Sequence, residues 1–346
     1  MNYVRNAWYV AGWCADLEPD TLSATQILGE PIVLWRAPQG VVALEDRCVH
    51  RLAPLSRGRC EAGTLRCMYH GLLYDTQGQC VQIPGQEVIP PGARVRSYPV
   101  IERHSWIWVW MGDRARADAT LIPPAVGLDD PDWILGRGQL DYEAEACYIN
   151  DNLLDFSHLT YVHANSFGAG PGFAEERPRL SALPRGVRFE RWMTGTRGPV
   201  GRRTDELVDN WSTYDFLVPG VLLMWSGSFN AGTAAACDYS RPEYSRAIRG
   251  VTFTSQAVTP IAERRARYLF SWGPHRQHGD EALRDLLMGV AAQAFAEDKA
   301  MIEAQQRVID RTASPVIMPT AHDRGVTLFN GLVARLAREE AGAPAS

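Results

Sequence analysis

Apolar and polar positions fall into two textures along this chain. From residue 25 to 111 the apolar residues come in short runs cut by turns: Pro31-Ile-Val-Leu-Trp-Arg36, a turn at Pro38-Gln-Gly40, then Val41-Val-Ala-Leu44. Runs bounded by Gly and Pro in this way predict short β-strands. Gly71-Leu-Leu-Tyr-Asp75 and Gly78-Gln-Cys-Val81 continue the pattern. Trp106 to Met111 is apolar on both alternating faces, which predicts a strand buried on each side. Residues 114–124 turn small and polar and end in Pro123-Pro124, so the boundary is placed there, with domains 1–117 and 118–346.

Beyond the boundary the period changes. Residues 132–148 read as strand, and Leu153, Leu154, Phe156 and Leu159 then take helical offsets that predict a helix over 150–161. Gly168–Pro171 reads as loop and 187–272 as strand-rich. Gly279-Asp280 opens a helix from Glu281 to about Ile309, and Ala334–Ser346 reads as a fraying terminal helix. The expected fold is therefore α+β: an all-β first domain, then a sheet with helices packed against it.

Composition narrows the function classes. A length of 346 residues suits two domains, and 46% hydrophobic with 22% charged residues suits a packed core. Lys+Arg 35 against Asp+Glu 40 gives a net charge of −5, so no overall positive field would attract nucleic acid. The longest apolar runs fall far short of the roughly 18 residues that span a bilayer. No secretory pattern opens the sequence, and a cytoplasmic protein without membrane or nucleic-acid partners is expected. Seven cysteines are an odd number scattered over a long chain, which fits reduced thiols, some of them metal ligands, better than a disulfide framework.

Two of those cysteines belong to the most specific signal. Cys48-Val-His50 and Cys67-Met-Tyr-His70 give the pattern C-x-H-x16-C-x-x-H. Structural zinc sites usually pair Cys with Cys and His with His at close spacing, whereas here each half brings one of each. Mixed halves suit a two-iron, two-sulfide cluster with chemically distinct irons, one held by both Cys and the other by both His. Zinc on the same four donors is the competing reading.

A second constellation lies in Asn152-Leu-Leu-Asp155-Phe-Ser-His158-Leu-Thr-Tyr-Val-His163. On a regular helix His158 and His163 stand about 140° apart, so both reach one ion only if the helix ends or bulges between them. A partner comes from the helix opened by Gly279-Asp280. There Asp298 has Ala294 and Phe295 one turn before it and Met301 and Ile302 one turn after, which places it on the apolar face, while Glu297 and Glu303 are expected in solvent. A buried carboxylate requires a cation, a metal or several donors. His158, His163 and Asp298 make a two-His, one-carboxylate set of the kind that holds iron(II) with positions left open; a salt bridge from Asp298 to an arginine is the alternative.

With both sites in view, the chain resembles the oxygenase component of the Rieske non-haem iron oxygenases over nearly its whole length. Tyr69-His-Gly-Leu72, Ile83-Pro-Gly-Gln-Glu87, Ile107-Trp-Val-Trp-Met-Gly-Asp113 and Asn152-Leu-Leu-Asp155 carry a closer similarity to the shorter members, such as vanillate and dicamba O-demethylase and toluene-sulfonate methyl-monooxygenase. Val49 and Met68 depart from the proline or glycine common in the family's cluster loops. Leu72 stands where ring-dihydroxylating members often have tryptophan, which favours the monooxygenase branch.

The resemblance implies an N-terminal Rieske domain followed by a catalytic domain with a curved antiparallel sheet and a long C-terminal helix, of the helix-grip type. It implies a 2Fe-2S cluster on Cys48, His50, Cys67 and His70, and a mononuclear Fe(II) on His158, His163 and Asp298. Dioxygen is the implied co-substrate, with electrons from NAD(P)H through a separate ferredoxin or flavin reductase. A homotrimer is implied, with Asp155 bridging His158 and His70 of the partner subunit, and Asn152 supporting the iron site. The expected reaction is O-demethylation or hydroxylation of a small aromatic, an aromatic acid above all. Ring or angular dioxygenation of such an acid is the enzyme alternative. A Rieske electron carrier with a ligand-binding domain is the non-enzyme one. Trp225, Gln256 and Gly289 are the expected contributors to the substrate pocket.

Overall fold

The computed structural model describes residues 3–167, 172–197 and 206–342; the loop expected at Gly168–Pro171 lies outside them. The chain divides into two compact units. One comprises Arg5–Ile122 with Thr259–Glu263, and the other the rest of the described residues.

The first unit is built of small antiparallel sheets. Trp8–Trp13, Trp106–Trp110 and Val100–Arg103 form one, and all five residues of Trp106–Trp110 are buried, as its two apolar faces require. A four-stranded sheet runs from Ser23–Ile27 through Glu30–Ala37 and Gly40–Glu45 to Ser97–Tyr98. Another orders Arg59–Glu61, Thr64–Arg66, Leu73–Tyr74 and Cys80–Gln82. The core of this unit gathers Val33, Trp35, Leu44, Leu65 and Tyr74 together with Cys48 and Cys67.

The second unit is a seven-stranded antiparallel sheet with helices packed on it, the α+β architecture expected. Its order is Gly136–Tyr142, Arg265–Pro274, Arg249–Ala262, Val221–Asn230, Val208–Leu217, Gly186–Thr196, Arg179–Leu183. The long helix Glu281–Arg311 starts where Asp280 caps the Leu283 N–H at 2.9 Å. Its buried residues Leu287, Ala291, Ala294, Phe295, Asp298 and Ile302 repeat at three and four, so one stripe faces the sheet. Phe295 meets Phe270 and Tyr268 at ring distances of 4.7 and 5.1 Å, a burial that contributes about 1.5–3 kcal/mol. Met301, expected in that stripe, is 58% exposed, because the stripe continues through Ile302 instead. Among the described residues no helix is long and apolar enough to cross a membrane.

Two helical expectations shift. The helix expected at 150–161 is Ala146–Leu154, followed by a 3-10 turn at Phe156–Thr160. Asp155 breaks it at φ −132°, ψ 99°, and its carboxylate caps the new turn by accepting from Ser157 N at 2.8 Å. The terminal helix runs over Arg324–Glu340, beginning ten residues before Ala334. It docks on the first helix where Asn330 Nδ2 donates to Asp151 at 3.1 Å.

Burial raises the Asp151 carboxyl to about 6. A carboxyl whose pKa rises on folding favours the folded state least once it must ionise, so stability is lost as pH climbs from about 4 through 6. Asp151→Asn is therefore expected to stabilise the protein by on the order of 2 kcal/mol at pH 8, with the gain shrinking toward pH 4. Thermal unfolding at both pH values checks this; an equal shift at both would contradict it.

Candidate active site

In the first unit the two Cys-His segments fold into matching loops. Cys48 N–H donates to Ala53 O and Leu52 N–H returns to Cys48 O, at 2.8 and 2.9 Å; Cys67 N–H donates to Leu72 O and Gly71 N–H returns to Cys67 O, at the same two distances. The fourth residue after each cysteine sits at positive φ, Leu52 at 57° and Gly71 at 77°, a conformation that glycine takes freely and leucine only under strain. The loops send both thiols inward and both imidazoles outward. Cys48 and Cys67 are buried, while His50 and His70 are exposed with ring centroids 4.4 Å apart. Burial, then contact with Cys48, raises the Cys67 thiol pKa. The Tyr74 hydroxyl lies 3.2 Å from Cys48 Sγ. Two donor types on two sides suit a cluster with unlike irons. All seven cysteines are free, and among the described residues Cys14, Cys60, Cys80, Cys147 and Cys237 belong to no group of three or more potential metal ligands.

In the second unit the break at Asp155 re-aims the chain, so that the ligand atoms of His158, His163 and Asp298 lie within 4.8 Å of one another. Asp298 is 4% exposed and His163 1%. Asp298 Oδ1 is 3.2 Å from His163 Nε2, 3.5 Å from His158 Nε2 and 3.1 Å from Asn152 Nδ2. Among the described residues its ion-pair partners are the two histidines and no arginine or lysine, which sets aside the salt-bridge alternative.

The other ring nitrogens are already occupied. His158 Nδ1 meets the backbone O of Asp155 at 2.5 Å, and His163 Nδ1 meets Glu297 Oε2 at 2.9 Å. Those acceptors place the protons on Nδ1 and leave both Nε2 lone pairs turned toward Asp298, the tautomer a metal needs. Burial lowers the pKa of His158. Burial also works against a proton on His163, but Asp298 and Glu297 outweigh it and raise its pKa.

Two second-layer roles differ from expectation. Asp155 holds His158 through its carbonyl, because its carboxylate is engaged in capping the turn. Glu297 is not simply solvated: it also accepts from Ser166 Oγ at 2.6 Å, so it fixes both the imidazole and the segment after it. No local pattern marked Glu297, since its partner lies 134 residues away. Glu303, likewise expected in solvent, accepts from Glu143 N–H at 2.9 Å.

A cavity of about 610 Å³ opens on the three ligand residues, within the range of small-molecule sites, about 300–1,000 Å³. Phe156, Leu159, Leu287, Phe295 and Trp272 supply apolar wall, and Gln256 is among the residues that line it. Trp225 does not. Met224 and Ser226 on either side of it line the cavity, so strand alternation turns Trp225 to the other face, stacked on Tyr244 at 3.9 Å. Gly289 is also outside. It stands about 200° around the long helix from buried Leu287 and is exposed.

Family models match both parts of this arrangement: the Rieske 2Fe-2S domain over residues 7–99 and the vanillate O-demethylase oxygenase C-terminal domain over 142–339. The chain belongs to the Rieske non-haem iron oxygenases. The iron-sulfur subunit of the toluene-4-sulfonate monooxygenase system of Comamonas testosteroni is 37% identical, with 99% of each chain covered. A vanillate O-demethylase oxygenase subunit from a Pseudomonas species is 35% identical over 88% of this chain and 86% of its own. Among solved structures, dicamba monooxygenase bound to dicamba superposes with a TM-score of 0.84 at 28% identity, covering 99% of this chain and 100% of that one. As a Rieske oxygenase the chain carries two kinds of iron cofactor, a 2Fe-2S cluster and a non-haem iron, and the donor sets of its two units fit them.

Proposed function

We propose that this Rieske oxygenase is the terminal component of a multicomponent monooxygenase that hydroxylates or O-demethylates a small aromatic acid. A separate ferredoxin or flavin reductase, fed by NAD(P)H, is its partner. Cys48 and Cys67 would hold one iron of the cluster and His50 and His70 the other; His158, His163 and Asp298 would hold the mononuclear iron. Dioxygen activation is the chemistry that iron supplies, with electrons stored in the cluster.

The remaining work falls to side chains. Asp155 O and Glu297 orient the two imidazoles, and Asn152 donates to Asp298, fixing the carboxylate beside them. The apolar wall takes up an aromatic ring and excludes water from the reacting face. In the homotrimer this reading assumes, the Asp155 carboxylate links the site to His70 of the partner subunit. Carrying the proposal is the convergence of two δ-anchored imidazoles on a buried carboxylate at an aromatic-sized cavity, an arrangement that an electron carrier would not require. The relatives named above, which act as sulfonate monooxygenase and O-demethylase subunits, support the substrate class.

The test is turnover of methyl- and methoxy-substituted benzoates and benzenesulfonates with a surrogate reductase and labelled dioxygen. One labelled oxygen in the alcohol or released aldehyde is expected. Two labelled oxygens on the ring, or no oxygen uptake with any of them, would contradict the proposal.

A further inference from the structure

The sheet face that floors the cavity is more polar than an aromatic ring alone would need. Register sets Arg191 opposite Ser212, Ser212 opposite Ser226, and Ser226 opposite Thr252, so one polar rung crosses four strands. Residues directly opposite each other in antiparallel strands project to the same face. Ser212, Ser226 and Thr252 all line the cavity, which puts Arg191 on the cavity side of the sheet. Ser226 Oγ and Thr252 Oγ1 are 2.8 Å apart. On the next rung Asn210 and Ser228 also face the cavity and share a 2.6 Å hydrogen bond.

Arg191 closes the rung as a cation in need of a partner. It is 8% exposed, and its Nη1 has no hydrogen-bond acceptor among the described residues. Phe173, which lines the cavity, covers the guanidinium with its ring centroid 4.8 Å from Cζ. That contact uses a face of the guanidinium plane and leaves the in-plane Nη1 donors unsatisfied. Burial lowers its pKa, and Tyr214, Asp155 and Glu176 act on it only through space; no carboxylate of the described residues lies within ion-pair distance. A buried, unpaired guanidinium is costly unless an anion arrives to meet it.

We propose that Arg191 and the hydroxyls of Ser212, Ser226 and Thr252 form the subsite for the acidic group of the substrate, an arenesulfonate or arenecarboxylate. This deepens the function proposed above and rests on it. Such groups present acceptor oxygens only, and the rung offers the Arg191 Nη1 donors beside the Ser212 hydroxyl and whichever of the Ser226 and Thr252 hydroxyls does not donate to the other. Leu283, Leu287 and Phe295 stand on the long helix that also carries Asp298, so the ring has an apolar surface available near the metal ligands.

The experiment is calorimetric titration of the metal-loaded full chain with 4-methylbenzenesulfonate, 4-methylbenzoate and the neutral 4-methylbenzenesulfonamide. Arg191→Met is expected to weaken both anions about 10- to 100-fold and to leave the sulfonamide unchanged, as the loss of a charged hydrogen bond implies. Its Tm should not fall, because a buried unpaired charge is removed. Arg191→Lys should restore part of the affinity, since it returns the charge without the fork. Equal weakening of all three ligands would mean that Arg191 acts on cavity shape or through Asp155, and would overturn the subsite. Anion binding unchanged in Arg191→Met overturns the subsite alone. Wild-type protein that binds neither anion overturns the subsite and the aromatic-acid reading together. If Arg191→Met does not fold, Ser226→Ala carries the test: anions weakened about 3- to 10-fold support the subsite, and unchanged binding overturns it.

Discussion

Asp155→Asn is expected to retain both metal centres and lose turnover by about 100-fold, the upper end of what an outer-shell partner contributes. Asparagine keeps the structural duties of this position. Its side-chain oxygen can still cap the turn at Ser157 N, and its backbone carbonyl can still hold His158 Nδ1. What it removes is the negative charge, so a loss of rate at full metal content isolates the carboxylate's proposed role in linking the iron site to His70 of the partner subunit. Iron content, the visible spectrum of the cluster and substrate-dependent oxygen uptake are the measurements. A metal-replete variant with wild-type turnover would rule the role out.

His158→Ala and Asp298→Ala are expected to weaken mononuclear iron binding by more than about 100-fold while the cluster's visible spectrum survives. The two donor sets belong to different units of the fold, so removing a ligand in one leaves the matched loops of the other intact. Asp298→Ala should be the more disruptive of the two. Besides a metal ligand it removes the acceptor of Asn152 Nδ2, in a buried setting where an unsatisfied donor costs about 1–3 kcal/mol. Metal analysis after dialysis and the visible spectrum check this. Loss of the cluster along with the iron would count against independent centres.

What the sequence made legible was local. Cys48, His50, Cys67 and His70 are close pairs on short loops, and their chemistry needs only spacing. Asp298 could be found because its helix announces its buried stripe in the three-four repeat around Ala294 and Phe295. Even the need for a break before His163 follows from helix geometry: the 3-10 turn that carries His158 ends at Thr160, after a first break at Asp155. Contacts between distant elements were hidden. Glu297 was assigned to solvent because nothing near it in sequence reveals the imidazole it meets. The sequence does not tell Trp225 from a pocket residue, because a one-residue change in strand phase exchanges the two faces, and only the pairing of Val221–Asn230 with its neighbours fixes that phase. Gly289 failed for the helical version of the same reason. Arg191 was one arginine among many until register aligned it with three cavity hydroxyls.

One chain is expected to hold two separate iron centres, a cluster on Cys48, His50, Cys67 and His70 and a single iron on His158, His163 and Asp298. Counting iron and acid-labile sulfide per chain, after reconstitution with ferrous iron and sulfide, tests it most directly. About three irons and two sulfides per chain are expected. Two irons with two sulfides, or zinc without sulfide, would contradict it.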